Sequence, residues 1–260
     1  MAETTFAHVY QRSLPSSPQA YSVLGAVGQQ CKAYSDLYGS ECEFEARFGT
    51  AADGSFSPGV SEEFYARVIE LCRESTRWAN ESSTEYEDAY YPHDGAACRT
   101  RTQMRNTHAD IVTSCKQNKL NWTLRTEATP TQRNHPDIRL SLAHEQPVHT
   151  PEGCVETTRY SIVQATSFDY IAAEYSSVIL RLDLRNTWSG VTRSEAETLQ
   201  RSCPGVKTIE IEVVNPHFFK HRFGPAYPAL SMLVKMLDFI RHAKPLEAAV
   251  SPFSVQLAVA

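Results

Sequence analysis

The chain has 260 residues, enough for one large domain or two small ones with a buried core. Its 42% hydrophobic and 21% charged residues are typical of a soluble globular protein, and no run approaches the ~20 apolar residues that a membrane-spanning helix needs. The net charge of −5 is not that of a protein with the basic surface that binds duplex DNA, so we do not expect duplex DNA as a partner. We expect no membrane partner either.

The seven cysteines are scattered along the chain, and no two of them have the Cys-x-x-Cys spacing of a zinc or redox site. No signal peptide precedes them. The sequence therefore predicts reduced, mostly buried thiols in a protein of the nucleus or the cytosol.

The first predicted elements are a helix over 20–37 and a strand over 41–49 that is closed by Gly49. A loop rich in Gly, Ser and Pro follows the strand. The clearest helix begins after Ser61, which can cap it, and its acidic first turn suits the positive end of a helix. Apolar residues recur along one side of this helix, and we expect it to end near 78–80.

Short alternating segments with turns between them follow, and they predict an antiparallel sandwich or barrel. These segments are 84–91, 97–105, 109–116, 119–127, 136–145, 154–164, 177–185 and 206–214. A short helix over 190–202 interrupts them, and an amphipathic helix over 227–243 is expected to pack across the outside of the sheet. We divide the chain into a lead-in over 1–38, one barrel domain over 39–245 and a tail over 246–260.

Charged residues alternate with apolar ones along the predicted strands. Because residues two apart share a face, Glu43 and Glu45 point to one side of the first strand and Phe44 points to the other. A late strand carries only acids on its polar face, at 210 and 212, whereas the strands between carry mainly bases.

Two geometries fit this pattern. The polar faces can look at solvent around an apolar interior, as most alternating strands do. Alternatively, the charges line the inside of a barrel whose apolar outer face is covered by helices, which requires acids and bases to pair or to bind ions. The segregation of acids and bases by strand favours the second geometry. Such a hollow suits a metal-bound polyphosphate, because carboxylates bind divalent cations and guanidinium groups bind phosphate oxygens.

Five sequence blocks, taken in order, resemble those of the metal-dependent RNA 5′-triphosphatases of fungal, protist and large-virus mRNA capping, which belong to the triphosphate tunnel metalloenzyme superfamily. The blocks are ECEFEARFG, DIRLSLAHE, TRYSI, VILRLDL and TIEIEVV. One Glu-x-Glu strand is a weak signal, whereas five blocks in family order are specific. The resemblance implies the α+β fold class, with an eight-stranded antiparallel β-barrel (the triphosphate tunnel) that has a charged interior and a cover of helices.

The resemblance also implies a site for a divalent cation, Mg²⁺ or Mn²⁺. Glu43 and Glu45 match the first Glu-x-Glu motif, and Glu210 and Glu212 match the second. By this correspondence Glu43, Glu45 and Glu212 hold the cation directly. Glu210 orients it through water.

A set of basic side chains resembles the phosphate-binding wall of the family. These residues are Arg101, Lys116, Arg139, Arg159, Arg181 and Arg185. Arg139, Arg159 and Arg181 are also expected to take part in catalysis, whereas Lys116 is equally well explained as a solvated lysine of a turn, and Arg185 departs from a family threonine. Glu145 resembles the glutamate that positions the attacking water, and Asp183 resembles an aspartate that holds neighbouring bases.

The function implied by the resemblance is the first step of mRNA capping, hydrolysis of the γ-phosphate of triphosphate-ended RNA, together with hydrolysis of nucleoside triphosphates. The expected partners are the 5′-triphosphate RNA end, nucleoside triphosphates and a guanylyltransferase on a separate chain. The expected location is the nucleus, or the cytoplasm for viral or cytoplasmic capping. Three alternatives stay open: a tripolyphosphatase or thiamine-triphosphatase of the same fold, a non-catalytic ligand-binding barrel, and an interaction domain.

Overall fold

The computed structural model describes residues 18–52, 54–93, 96–105, 108–126, 136–149, 157–172, 177–214, 227–243 and 255–259 of the chain. The helices in these ranges are α1 (Pro18–Tyr38), α2 (Glu62–Glu74), α3 (Arg193–Ser202) and α4 (Tyr227–His242). The strands are β1 (Cys42–Ala52), β2 (Ser55–Pro58), β3 (Trp78–His93), β4 (Ala96–Arg105), β5 (His108–Thr126), β6 (Asp137–Pro147), β7 (Arg159–Ala172), β8 (Ser177–Gly190), β9 (Val206–Val213) and β10 (Val255–Val259). Among the described residues, no helix combines the length and the apolar character needed to cross a bilayer.

Eight strands close into an antiparallel barrel. Around the ring their order is β1, β6, β5, β4, β3, β7, β8 and β9, and β9 returns to pair with β1. The short strand β2 pairs with the end of β1, and β10 pairs with the end of β5. The expected eight-stranded antiparallel barrel is thus confirmed, while the strand β10 falls in a segment where the sequence indicated no element.

The alternating strand directions define two mouths of the barrel. Strands β6 and β7 begin at the mouth where β1 and β8 end, and Arg159 is the first residue of β7. We call this end the Arg159 mouth. The other end, where β8 begins, is called the Arg181 mouth, after a residue near the start of that strand.

The hydrophobic core lies outside the barrel, between the sheet and helices α1, α2 and α4. Leu140, Leu182 and Ile211, which point outward from β6, β8 and β9, are each 0% exposed. They pack in one cluster with residues of the three helices, including Val68 of α2 and Met236 of α4. The geometry with charges inside and apolar residues outside is therefore confirmed.

One irregularity in β5 explains a wrong boundary. The sequence predicted two strands over 109–116 and 119–127, but the structure has one strand with a register shift between Asn118 and Leu120. Before the shift Lys116 faces the interior, and after it Trp122 belongs to the outer core. Because the extra residue reverses the alternation of faces, the sequence pattern breaks within a continuous strand.

Helix α2 ends at Glu74, earlier than the expected 78–80. Ser75 has extended backbone angles, and Trp78 already begins β3. There its ring stacks on Phe239 of α4, with ring centroids 5.9 Å apart. The sequence pattern extended the predicted helix to Trp78 because this residue is apolar. In the structure its apolar ring instead packs against α4 from the start of β3.

The cysteines differ from expectation at one pair. Cys98 and Cys115 lie directly opposite each other on β4 and β5, and a disulfide joins them. The predicted reduced thiols are found at Cys31, Cys42 and Cys72, which are buried. The sequence carries no signal for the pair, since a separation of 17 residues becomes a contact only through the register of the hairpin.

We predict that Leu182→Ala lowers the free energy of unfolding by about 2–5 kcal/mol, because it opens a cavity in the outer core. The matched control is Val206→Ala on the neighbouring strand β9, where the side chain is 58% exposed and the loss should stay below ~1 kcal/mol. Urea denaturation of both variants measures the two losses. Equal losses would contradict a core on the outside of the barrel.

Candidate active site

The barrel interior is a cavity of about 570 Å³ lined by side chains from all eight strands of the ring. The twelve site residues predicted from the sequence all line it. They are Glu43, Glu45, Arg101, Lys116, Arg139, Glu145, Arg159, Arg181, Asp183, Arg185, Glu210 and Glu212. The first and the last of these residues lie 169 positions apart in the sequence, and the structure brings them together in one cavity.

Three carboxylates form a tight cluster in this cavity. Glu43, Glu45 and Glu210 each place an oxygen within 4.8 Å of the others. Glu45 and Glu210 are 1% and 4% exposed, so water does not screen their charges. Glu212 lines the cavity two residues further along β9 and is not a member of this cluster, although the resemblance implied that it, rather than Glu210, would hold a cation directly.

Two cations inside the barrel, Lys116 and Arg47, each contact two members of the cluster. The Lys116 Nζ atom lies 2.6 Å from Glu43 Oε2 and 2.8 Å from Glu45 Oε2. Arg47 places Nη2 2.9 Å from Glu45 Oε2 and Nε 2.5 Å from Glu210 Oε2. Without such partners the buried carboxylates would be strongly unfavourable. Arg47 was missing from the predicted site, although it follows Glu45 on the same face of β1.

The protonation of the acids reflects this crowding. Burial, together with the charge of Glu45, raises the pKa of Glu43. Burial, then Asp183 and Glu210, raise the pKa of Glu212 to about 7. Burial also works to raise the pKa of Glu210, but Arg185, Arg47 and Lys116 outweigh it and the pKa is lowered. Glu43 and Glu212 therefore lose their protons less readily than Glu210 does.

The cluster fits a hard divalent cation. Its donors are carboxylate oxygens, which are the ligands that Mg²⁺ and Mn²⁺ prefer in proteins. Glu43 Oε2 is buried and accepts no well-directed hydrogen bond, since the nearby Lys116 ammonium meets the distance of an ion pair but not the direction of a hydrogen bond. A carboxylate oxygen in this state retains a lone pair for a cation.

Glu145 is held as an ionised acceptor beside the cluster. Arg99 Nη2 lies 3.0 Å from Glu145 Oε1, and the Ser114 hydroxyl donates to the same oxygen at 2.6 Å. Burial alone would raise the pKa of Glu145, but Arg99 and the hydrogen bond from Ser114 lower it. Glu145 can therefore accept a hydrogen bond from a water molecule in the cavity.

Two further bases of the cavity, Arg101 and Arg185, are each held by acids. Arg101 makes a two-pronged ion pair with Asp88, at 2.8 and 2.9 Å, and its guanidinium stacks on Tyr86 at 3.7 Å from the ring centroid. Arg185 lies 2.7 Å from Asp183 and 3.3 Å from Glu210. Sequence reasoning missed Asp88. The signal was present in the alternation of Tyr86 and Asp88 with outward-facing residues along β3.

Two arginines lie at the Arg159 mouth without an acidic partner. Arg139 stacks on the Phe56 ring at 4.7 Å, and Arg159 stacks on Tyr90 at 3.9 Å. In the part of the chain that the structure describes, no carboxylate lies within ion-pair distance of either. At the Arg181 mouth, by contrast, Asp169 lies 3.2 Å from Arg181. The free positive charge of the tunnel is therefore concentrated at one mouth.

Comparison of the chain with protein-family models found no match, and comparison with curated protein sequences found none either. Solved structures do match. The S. pombe RNA triphosphatase Pct1 gives a TM-score of 0.63 at 14% identity, over 89% of this chain and 96% of Pct1. A second Pct1 structure, in complex with the Spt5 CTD, gives 0.61 at 13% identity, over 89% of this chain and 95% of that one.

A viral structure matches as well. The RNA triphosphatase domain of the mimivirus mRNA capping enzyme gives a TM-score of 0.55 at 16% identity, over 87% of this chain and the whole of that domain (100%). At identities this low, TM-scores of 0.55 to 0.63 show a common fold and no more. The chain therefore has the triphosphate tunnel fold of these RNA triphosphatases, as its five sequence blocks implied.

Proposed function

We propose that the chain is an RNA 5′-triphosphatase that converts triphosphate-ended RNA into diphosphate-ended RNA and phosphate. The observation that carries the proposal is the content of the tunnel, a buried carboxylate cluster within the same cavity as two arginines that have no acidic partner among the residues that the structure describes. Acids that can hold a cation and bases that can hold phosphate are the two requirements of a triphosphate site. The fold shared with two RNA triphosphatases supports the choice of RNA.

Glu43, Glu45 and Glu210 would hold a divalent cation, Mg²⁺ or Mn²⁺, and Glu212 lies two residues beyond Glu210 on the same strand and lines the same cavity. When bound, such a cation would neutralise negative charge on the terminal phosphate. Lys116 and Arg47, which neutralise the carboxylates, would then be available to phosphate oxygens.

The remaining residues bind the phosphate groups and orient the attacking water. Arg139 and Arg159 receive phosphate oxygens at the mouth, and Arg101, Arg181 and Arg185 provide the charged wall further inside. Glu145 accepts a hydrogen bond from the attacking water and aligns it with the γ-phosphorus, opposite the β–γ bridging oxygen. Asp183 holds Arg185 in place. Charge that develops on the phosphoryl oxygens is stabilised by these fixed cations.

The proposed place of the reaction is mRNA capping, followed by guanylyl transfer on a separate chain, in the nucleus or in the cytoplasm. Free nucleoside triphosphates would also be hydrolysed, because the tunnel holds phosphate groups and its interior offers few groups that read a base.

The direct test is phosphate release from γ-labelled triphosphate RNA, with and without Mg²⁺ or Mn²⁺. We predict that Glu45→Gln, and likewise Glu43→Gln, lowers the rate on the order of 10²-fold or more, because the cluster loses a charged ligand. The matched control is Glu41→Gln. Its side chain is 44% exposed beside β1, and the variant should stay within about twofold of the wild type. Retained activity in both cluster variants would refute the assignment.

Tripolyphosphate and thiamine triphosphate serve as competing substrates in the same assay. A preference for RNA supports the proposal, and activity on tripolyphosphate or thiamine triphosphate without activity on RNA assigns the chain to the alternative phosphatases. Absence of metal-dependent hydrolysis of every substrate would favour a non-catalytic barrel or an interaction domain.

A second prediction concerns stability without metal. Since the pKa of Glu212 is raised to about 7, this group binds its proton more tightly in the folded than in the unfolded chain, and its ionisation above pH 5 destabilises the fold. Glu212→Gln removes this penalty. We expect the variant to exceed the wild type by roughly 1–3 kcal/mol at pH 8 with EDTA, and by little at pH 5.

Thermal unfolding at the two pH values measures this difference, and Mg²⁺ added at pH 8 should reduce the advantage of the variant. An advantage that is the same at pH 5 and pH 8 would contradict the raised pKa.

A third prediction concerns the attacking water. Glu145→Gln should lower kcat on the order of 10²-fold while KM changes little, because the residue acts on water and not on the RNA. Steady-state kinetics with triphosphate RNA separates the two constants. A large rise in KM at unchanged kcat would instead make Glu145 a binding residue.

A further inference from the structure

A surface groove lies outside the tunnel at the Arg159 mouth, between the end of β8 and helix α3. Its wall is mostly apolar and includes Val191, which is 62% exposed, and Leu199, which is 36% exposed. The groove is open to solvent and offers about 690 Å³ of space, enough for a nucleoside. Exposed apolar side chains that line a concave surface are typical of a binding site.

Local interactions hold the groove in shape. Thr192 and Glu195 form a capping box that fixes the first turn of α3. The Glu195 carboxylate also accepts a hydrogen bond from the backbone N–H of Val191 at 2.7 Å, so its charge is already satisfied. Gly190 allows the helix to approach, since a Cβ atom there would lie 2.6 Å from Glu195 Cβ. These contacts fix the first turn of α3 beside the end of β8.

Arg159 links the groove to the tunnel, since its side chain lines both spaces. It has no acidic partner among the described residues, and it stacks on Tyr90. Along β7 the inward-facing positions run from Arg159 at this mouth to Asp169 at the other, where the acid neutralises Arg181. A polyanion is consequently attracted to the Arg159 mouth more than to the Arg181 mouth.

We propose that this groove binds the nucleoside of the 5′-terminal nucleotide while the attached triphosphate lies in the tunnel. The base packs on Val191 and Leu199, and Arg159 contacts the phosphate nearest the ribose. The inference rests on the proposed function, and it adds that the substrate enters from this mouth with its first nucleoside bound outside the barrel. Because the wall is apolar, the groove accepts any base, and it contributes no binding energy to substrates that have no base.

The test compares Leu199→Ser and Val191→Ser with Leu37→Ser, a matched loss of an apolar side chain that is 71% exposed on α1. For triphosphate RNA and for ATP we expect kcat/KM to fall on the order of 5- to 10-fold in the groove variants and to stay unchanged in the control. For tripolyphosphate we expect no change in any variant. An equal loss with tripolyphosphate, or no loss with RNA and ATP, overturns the proposal and leaves the groove to a protein partner.

Equilibrium binding separates the failure of this inference from the failure of the proposed function. By calorimetry in Mg²⁺, ADP should bind the wild type more tightly than pyrophosphate does, and Leu199→Ser should remove most of that difference. If ADP binds no more tightly than pyrophosphate, the groove does not bind a nucleoside, whatever the activity. If RNA is not hydrolysed but ADP keeps its advantage, the RNA triphosphatase assignment fails and the nucleoside groove stands.

Discussion

Ion pairing inside a closed sheet is the interaction on which this molecule depends. Glu45 and Glu210 are almost inaccessible to water, and they are tolerated because Arg47 pairs with both of them and Lys116 pairs with Glu45. Removing one member of such a buried pair typically costs about 3–5 kcal/mol, because the other charge is left uncompensated. Inside the barrel a small apolar cluster surrounds Tyr86 and Ala165, and most of the apolar burial comes from helices packed on the outer face.

Paired and unpaired bases have different uses in this arrangement. Arg101 and Arg185 are held by Asp88 and Asp183, which gives them fixed positions. Arg139 and Arg159 contact aromatic rings, and in the part of the chain described here neither contacts an acid. Fixed bases shape the wall of the cavity. The unpaired ones leave it with a net attraction for anions at one mouth, and so give the tunnel a direction.

Alternation along single strands assigned each predicted residue to a face, because a period of two needs no knowledge of the neighbouring strands. It left two geometries open, and the segregation of acids and bases together with the family resemblance favoured the barrel whose cavity all twelve predicted side chains line. Register between strands could not be predicted. It places Cys98 opposite Cys115 and Glu212 opposite Glu45, although it is Glu210 whose carboxylate oxygen lies in the cluster with Glu43.

Contacts between distant segments were also beyond the sequence. Asp88 had no apparent partner until β4 placed Arg101 beside it. The end of α2 was misjudged because packing of Trp78 on α4 overrides a helical pattern that is local.

The register shift in β5 has a consequence for how such a sheet can change over time. Along each barrel strand, inward-facing and outward-facing residues alternate, and the two sets have opposite chemistry. The gain or loss of a single residue reverses the face of every residue that follows it in the strand. In β5 it would turn Trp122 and Leu124 towards the charged interior. Strands of this kind can therefore lengthen or shorten by two residues, which keeps the alternation of faces. A change by one residue is tolerated only at a bulge or in a loop.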